Sequence, residues 1–270
     1  MLKKIFLDTC VLSDIGRMKK DDRINLAFQF LNKEYQIIIT IFNLIELEDI
    51  RDKTLKENIY DFLEISNVGF AKSDKKIFDE EIEKYFSNDS IDIVEFDLNM
   101  YQIDRNGDKF DFMNFKNRLF KDKGFIKNNI DHNNILVELQ KLKRSMKNID
   151  EYFNALVLNR IGKVDADFLS KIGPKEIDYN KIPASIIWLY SFANKIESRG
   201  FKQKPKEMND VSMSYIVPYV DIICVEARQV ARYEEIKRKK LSVALENKII
   251  KRYNEVIKKN GDVIEFDLNF

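Results

Sequence analysis

The sequence predicts an α/β fold: a parallel sheet flanked by helices and interrupted by a large, mostly α-helical insertion. At both ends of the 270-residue chain, short apolar runs alternate with patterns of helical period, which is typical of a parallel sheet covered by helices. Between these ends, about 140 residues carry mostly amphipathic helical patterns. We therefore expect a first part of the α/β domain at 1–65, a helical insertion or cap at 66–204, and a second part at 205–270.

The first part of the chain predicts two strands and three helices. The apolar run at 4–7, which ends at Asp8, predicts a buried strand, and a helix is expected from about Val11. INLAFQFLN has helical spacing, and EYQIIIT predicts a second strand. The next stretch, IFNLIELEDIRDKTLKENIYDFLEI, predicts one long helix with Thr40 as its candidate cap.

The insertion contains five stretches that predict amphipathic helices and one that predicts a strand. The strand-like run is IDIVEFDLN, and Pro183 lies near the first turn expected for the last helix. The helical stretches are KKIFDEEIEKYF, FMNFKNRLF, NNILVELQKLKRSM, IDEYFNALVLNRI and ASIIWLYSFANKI.

The second part of the chain predicts a short helix, a strand, a basic helix and a final strand. Asp210 begins DVSMSYIV, whose apolar positions suit a short helix packed on the sheet. DIICV predicts the strand, and the basic helix follows it from about Ala227. The last strand is expected in DVIEFDLNF.

The composition excludes several classes of protein. Hydrophobic residues make up 44% of the chain and charged residues 34%, which is ordinary for a globular protein. Two cysteines, Cys10 and Cys224, are too few for a zinc site or a disulfide framework. No stretch approaches the roughly 20 apolar residues of a membrane span, and the N-terminal apolar run is not followed by a signal-peptide cleavage site. We therefore expect a cytoplasmic protein.

The basic residues of the second part are concentrated in one stretch. From 227 to 260 there are eleven Lys or Arg residues against four Asp or Glu, while the whole chain has a net charge of +1. Such asymmetry is typical of a nucleic-acid-binding face, although a charged stretch is often only a solvated helix. The candidate nucleic-acid-binding residues are Arg228, Arg232, Lys237, Arg238, Lys239 and Lys240, together with Lys141, Lys143 and Arg144 of the insertion.

Two acids follow the predicted strands directly. Asp8 ends the first strand, and Glu226 ends the strand in DIICV. In a parallel sheet, ligands bind outside the carboxyl ends of the strands, so adjacent strands would bring these carboxylates together. Asp221 begins the same strand as Glu226, and at roughly 3.3 Å per residue it would lie about 16 Å away, at the opposite edge. We therefore favour Glu226 as a metal ligand and keep Asp221 in reserve.

Two further acids lie close to apolar segments. Glu46 has apolar neighbours in IFNLIELED, and Asp210 stands just before the apolar run that leads to the strand. A buried carboxylate is costly unless it is paired or bound to a metal. Because a site made only of carboxylates selects hard cations, these acids predict Mg²⁺ or Mn²⁺. The alternative for each acid alone is a helix cap or an exposed charge.

The segments that carry these acids resemble the PIN-domain nucleases. IFLDTCVLSDI resembles their opening strand and helix, IIITIFNLIELEDI their second strand and the helix that carries a Glu, and NDVSMSYIVPYVDIICVEARQVA their third acid, closing strand and following helix. By motif match, the resemblance implies that Asp8, Glu46 and Asp210 are metal-binding catalytic acids, and it leaves the fourth position to Glu226. Thr9 matches the small hydroxyl residue that often follows the first Asp.

The resemblance implies a metal-dependent nuclease, an endoribonuclease that uses Mg²⁺ or Mn²⁺ to activate water against the phosphodiester bonds of RNA. A helical cap beside the acids would favour single-stranded or flexible RNA over duplex. The alternative is a catalytically weak or inactive PIN-like protein whose insertion binds a protein partner, and Glu226, where the family usually has Asp, favours it. An inhibitory or activating protein partner fits either interpretation. No membrane partner is expected, and the oligomeric state is left open.

Overall fold

A computed structural model of the chain describes residues 2–87, 89–97, 149–164, 177–197, 205–260 and 263–267. Two of the helices predicted in the insertion, FMNFKNRLF and NNILVELQKLKRSM, lie outside these residues, and so do Lys141, Lys143 and Arg144. Among the described helices, none combines the length and the apolar character that crossing a membrane requires.

The protein has an α/β architecture built on a six-stranded, mostly parallel sheet with helices around it. The strand order is β4-β3-β2-β1-β5-β6, and only the pairing of β3 with β4 is antiparallel. The strands of this sheet are β1 (Lys3–Leu7), β2 (Tyr35–Ile39), β3 (Val68–Ala71), β4 (Val94–Asp97), β5 (Ile222–Val225) and β6 (Ile249–Arg252).

The helices connect these strands and cover the sheet, and α1 and α2 each pack on α4. A second group, α5, α6 and α7, packs together with the 3₁₀ segment that precedes β5. The helices are α1 (Thr9–Arg17), α2 (Lys20–Asn32), α3 (Ile41–Glu48), α4 (Lys53–Ile65), α5 (Asp74–Glu83), α6 (Ile149–Val164), α7 (Pro183–Glu197), α8 (Pro205–Ser212), α9 (Ala227–Arg238) and α10 (Tyr253–Val256), with 3₁₀ segments at Tyr179–Lys181, Met213–Tyr219 and Val243–Leu245.

The first strand and helix form close to where the sequence predicts them. Ile5, Phe6 and Leu7 of β1 are almost completely buried, as expected for a central parallel strand. Helix α1 begins at Thr9, two residues before the predicted start, because the carboxylate of Asp8 accepts a hydrogen bond from the backbone N–H of Thr9 and forms the N-cap.

The single long helix predicted after the second strand is wrong, since the structure has two helices there. The predicted cap is confirmed: Thr40 accepts a hydrogen bond from the N–H of Asn43, whose side chain in turn accepts one from the N–H of Thr40. Helix α3 ends at Glu48, and Asp52 begins α4 by accepting a hydrogen bond from the N–H of Leu55 at 3.1 Å. The N-cap at Asp52 therefore divides a hydrophobic pattern that predicted one continuous helix.

The sheet continues into the segment predicted to be the insertion. Strand β3 pairs with β2, and β4, which lies in the predicted strand-like run, pairs with β3 at the edge of the sheet. At the other edge, β6 was not predicted. The last predicted strand forms β8 (Val263–Phe266), but it pairs with β7 (Ile257–Asn260) in a separate two-stranded ribbon.

A buried carboxylate links α5 to the first turn of α7. Glu81 is fully buried, and its oxygens accept hydrogen bonds from the backbone N–H groups of Ala184 and Ser185 at 2.6 and 2.9 Å. The hydroxyls of Ser185 and Tyr219 donate to the same carboxylate at 2.6 and 2.7 Å. These four donors fix the start of α7 against α5 and against the 3₁₀ segment that leads to β5.

Candidate metal centre

Two of the predicted acids meet because β1 and β5 are adjacent and parallel. Leu7 of β1 lies opposite Cys224 of β5, and the backbone N–H of Asp8 donates to the carbonyl of Cys224 at 3.0 Å. Glu226 follows the last residue of β5 and is the N-cap position of α9. The carboxylates of Asp8 and Glu226 therefore lie at the same edge of the sheet, as the sequence predicts.

The other two predicted acids reach the same place from helices. Glu46 lies on α3, which is anchored by the buried side chains of Phe42, Leu44 and Leu47. Asp210 lies in the last turn of α8, and this helix contacts α3. The predicted helix start at Asp210 is thus wrong, because α8 already begins at Pro205, a residue suited to a first turn.

All four acids line a single cleft of about 210 Å³. Its lining residues are Asp8, Thr9, Cys10, Ser13, Glu46, Asp49, Ile50, Asn209, Asp210 and Glu226. Five of these were not predicted: Ile50 and the four polar residues Cys10, Ser13, Asp49 and Asn209. The spacing of the four polar residues was a usable signal, because each lies within five positions of a predicted acid on the same helix or at its cap.

The reserve acid, Asp221, lies at the opposite edge of the sheet. Its side chain accepts a hydrogen bond from the backbone N–H of Lys4 at 2.8 Å, and its own N–H donates to the carbonyl of Lys4 at 2.7 Å. Lys4 is near the beginning of β1, whereas Asp8 follows its end. Asp221 is exposed and holds the start of β5 beside the start of β1, far from the cleft.

The carboxylates of the cleft perturb one another. Burial raises the pKa of Asp8 to about 6, and the negative charges of Asp210 and Glu226 contribute to the rise. Burial likewise raises the pKa of Asp210 to about 6, with contributions from Glu46 and Glu226. Such shifts are expected where several carboxylates share a partly desolvated space, and a bound cation would relieve the repulsion.

The donor atoms around the cleft suit a divalent cation. Four carboxylates supply hard oxygen ligands of the kind that Mg²⁺ and Mn²⁺ prefer. The hydroxyl oxygen of Thr9, which also lines the cleft, is buried and has no hydrogen-bond partner among the described residues. An unsatisfied oxygen beside a group of acids is what a hydrated cation would complete, so these residues fit such an ion.

A thiol lies inside the same group of acids. The Sγ of Cys10 donates to Oδ2 of Asp8 at 3.3 Å. One ligand atom each from Asp8, Cys10 and Glu226 can be chosen so that all three lie within 4.8 Å of one another. Burial, followed by the charge of Asp8, raises the pKa of the Cys10 thiol far above its ordinary range.

The predicted basic residues of α9 fall into three different environments. Arg228 is exposed in the first turn, two positions after Glu226. Arg232 is 8% exposed, and its positive charge opposes the rise in the pKa of Asp210. Its Nε and Nη1 have no hydrogen-bond partner among the described residues.

The remaining predicted basic residues lie at or just beyond the far end of α9. At about 1.5 Å per residue, Lys237 is roughly 16 Å along the helix from Glu226. The ammonium group of Lys237 lies 3.7 Å from Glu234, and that of Lys239 lies 2.9 Å from Asp150 of α6. Arg238 and Lys240 are exposed beside them.

Known proteins supply no further assignment. No protein-family model, no curated protein and no solved structure matches this chain.

Proposed function

We propose that the protein is a PIN-like, metal-dependent nuclease that hydrolyses phosphodiester bonds in RNA as an endoribonuclease. The observation that carries this proposal is that four acids from four different elements line one cleft at the carboxyl edge of a mostly parallel sheet. Asp8 follows β1, Glu46 lies on α3, Asp210 on α8, and Glu226 follows β5. Two of these acids, Asp8 and Glu46, are buried, and buried carboxylates lower stability unless they are paired or bind an ion.

Asp8, Glu46, Asp210 and Glu226 would hold one or two ions of Mg²⁺ or Mn²⁺. When bound, such an ion supplies Lewis-acid activation of water and neutralises charge that develops on the attacked phosphate. The protein's own contribution is to hold the acids in a fixed relation. Asp8 is fixed by the hydrogen bonds that its carboxylate accepts from the N–H of Thr9 and the thiol of Cys10.

Among the described residues around the cleft, those on the α9 side suit a phosphate backbone and those on the α3 side do not. Arg228 is exposed beside Glu226 and can contact a phosphate that approaches the acids. Asp49, which is exposed on the cleft lining, would repel a phosphate placed over α3. RNA would therefore enter along the α9 side, and binding would weaken with salt as the basic groups exchange counterions.

The proposal is tested by cleavage of a labelled single-stranded RNA in the presence of Mn²⁺ or Mg²⁺. Wild-type protein should cleave the RNA, and a chelator should stop the reaction. Asp8→Asn should lower the rate by about 100-fold or more, because mutation of even the residues that only support metal ligands lowers activity by about 10 to 100-fold. Asp221→Asn is the matched control, because it changes the same group at the opposite edge of the sheet. Wild-type protein that binds the ion but cleaves neither RNA nor DNA would contradict the proposal.

The second candidate function is a PIN-like protein that binds a protein partner and has little or no catalytic activity. Glu226 favours it, because the resemblance leads one to expect the shorter Asp at the fourth position. The longer side chain moves the carboxylate by about one methylene, and misplacement of about 1 Å can cost about 100-fold in rate. Glu226→Asp separates the two candidates: increased cleavage would indicate a weakened nuclease, and no cleavage by either form would favour the binding protein.

A further inference from the structure

Two cysteines were too few to predict a zinc site from the sequence, but the structure places two carboxylates beside the thiol of Cys10, and this thiol changes the chemistry that the acids alone would offer. Carboxylates by themselves select hard cations, whereas a thiolate favours softer ones such as Zn²⁺ and Cd²⁺. Cys10 is the second residue of α1 and lines the cleft beside Asp8. The side chain therefore belongs to the same cavity as the acids and is not a separate core residue.

The distances are close to those of a small tetrahedral site. With a Zn–S bond of about 2.3 Å and a Zn–O bond of about 2.0 Å, tetrahedral geometry separates sulfur from oxygen by about 3.5 Å. The Sγ of Cys10 and Oδ2 of Asp8 are already 3.3 Å apart. The ligand atom of Glu226 lies within 4.8 Å of both, a gap that side-chain rotation can close. Glu226 is exposed, so its side chain has room for this rotation.

A second observation points to an ion in this place and does not depend on the acids. The hydroxyl oxygen of Thr9, next to both Asp8 and Cys10, is buried against the cleft without a hydrogen-bond partner among the described residues. A water molecule that completes the coordination of an ion at Cys10 would satisfy this oxygen.

We infer that Cys10, Asp8 and Glu226 form a binding site for a thiophilic divalent cation, of the Zn²⁺ and Cd²⁺ class, that excludes Mg²⁺ and Mn²⁺ from the cleft. The inference rests on the proposed function for the identity of the hard ion. Both kinds of ion require Asp8 and Glu226, so the two modes compete. On binding, a bond forms between Sγ and the cation, and the thiol proton passes to solvent. A thiophilic cation is thus an inhibitor of the nuclease.

The test is a titration of the metal-free protein with Cd²⁺, followed by the ultraviolet absorption of the cadmium–thiolate bond. Wild-type protein should show an absorption change that saturates at one Cd²⁺ per chain, and excess Mn²⁺ should reverse it. Cys224→Ser is the matched control, because Cys224 is completely buried in β5, whereas Cys10 lines the cleft. This control should keep the signal, and Cys10→Ser should lose it.

Asp8→Asn and Glu226→Gln keep both thiols and test the carboxylate ligands, with circular dichroism as the check of folding. Each should weaken Cd²⁺ binding by about 10-fold or more, as loss of a group that supports a metal site does. A signal that persists in Cys10→Ser, or Cd²⁺ affinity unchanged in both carboxylate variants, would overturn the inference. The absorption measurement needs no RNA, so the two hypotheses can fail separately. Cd²⁺ binding without any cleavage would contradict the proposed function alone. Cleavage without the absorption signal would contradict this inference alone.

Discussion

The backbone N–H of Asp8 donates to the carbonyl oxygen of Cys224, and this hydrogen bond closes the end of β1 against the end of β5. It fixes the strand register two residues before Glu226, which follows the end of β5. The backbone positions of the two acids are thus set by main-chain geometry, and rotation of the exposed Glu226 side chain can then bring its carboxylate to an ion. Binding of an ion therefore needs little reorganisation of the main chain.

Mn²⁺ should raise the melting temperature of the wild-type protein. Binding to the folded state alone stabilises it by about 2.7 kcal/mol at a concentration of 100 times Kd, and this corresponds to a rise of about 5–10 °C for a chain of this size. Glu46→Gln should remove most of the rise, because Glu46 is buried in the cleft lining. Differential scanning fluorimetry across a Mn²⁺ series measures the effect.

The control for this measurement is Glu57→Gln, which removes an exposed carboxylate on α4, outside the cleft. The wild-type response should survive in this variant. An equal response to Mn²⁺ in wild type and in Glu46→Gln would mean that the ion binds elsewhere.

Of the two acids at the ends of β5, Glu226 should be required for cleavage and Asp221 should not. Glu226→Gln should abolish most activity, because it removes a charge from the cleft, whereas Asp221→Asn should retain it. Asp221→Asn should instead lower the melting temperature slightly, since its side chain accepts a hydrogen bond from the N–H of Lys4. Rates measured with one RNA substrate decide the matter, and loss of cleavage only in Asp221→Asn would contradict the placement of the site.

Two arginines of α9 provide a matched pair for RNA binding. Arg228 is exposed in the first turn beside Glu226, and Arg238 is exposed at the other end of the same helix. Arg228→Glu should lower RNA affinity and reduce the slope of log K against log salt by about one, the value for one lost phosphate contact. Arg238→Glu should have the smaller effect in the same fluorescence-anisotropy titrations, and the reverse order would place the RNA at the C-terminal end of α9, beside residues 237–240.

Glu81 should make stability depend on pH between about pH 4.5 and 7. Burial raises the pKa of its carboxyl from 4.5 to about 7, although the four donors to its oxygens favour the charged form. In this pH range the Glu81 carboxyl thus keeps its proton in the folded protein and releases it in the unfolded chain. The contribution of Glu81 to the free energy of unfolding is therefore full below pH 4.5. The contribution is lost as the pH rises to about 7, by on the order of 1–3 kcal/mol. Urea unfolding at several pH values measures it.

Glu81→Gln tests this assignment, because it replaces the titrating group. The amide nitrogen of Gln cannot accept the hydrogen bonds that the second carboxylate oxygen of Glu81 accepts. The free energy of unfolding of the variant should therefore fall by about 1–3 kcal/mol near neutral pH. The fall in stability between pH 4.5 and 7 should also shrink relative to wild type. A variant as stable as wild type with an unchanged pH profile would show that Glu81 does not titrate in this range.

Gly16 should tolerate no side chain. A Cβ at this position would lie 2.6 Å from Cγ1 of Ile59 and 2.8 Å from Cδ1 of Leu55, where α1 packs against α4. Gly16→Ala should therefore destabilise the protein by about 1–3 kcal/mol, the usual cost of overpacking a core. Chemical denaturation measures the loss. Ser13→Ala on the same helix is the control, since Ser13 is only partly buried, and an equal loss in both would contradict the packing argument.

The strand-end acids and the alternation of strands and helices were predictable because they depend on local patterns. Asp8 and Glu226 follow short apolar runs, and parallel neighbours bring such positions together. The end of α3 before α4 was not predicted, because the helical spacing of apolar residues continues across Asp52, the residue that caps α4. Strand β6 was missed for a different reason: it is only partly buried, so its sequence lacks a long apolar run.

The spacing of Cys10 from Asp8 was a usable signal in the sequence, but the hydrogen bond between its thiol and the Asp8 carboxylate was not predicted. Cys10 sits in an apolar context, and its approach to Asp8 depends on α1 beginning at Thr9 instead of Val11. The earlier start places Thr9 and Cys10 in the first turn of α1, directly after the capping carboxylate of Asp8.

The pairing of β1 with β5 also governs when the cleft comes into existence. A hydrogen bond joins Lys4 to Asp221 across 217 positions of sequence. Chains fold from the N-terminus as they are synthesised, so β1, β2 and β3 emerge long before β5. A nascent chain carries Asp8 and Glu46 but neither Asp210 nor Glu226. The set of four acids is therefore incomplete until position 226 has been synthesised, and a site that requires all four cannot form before β5 pairs with β1.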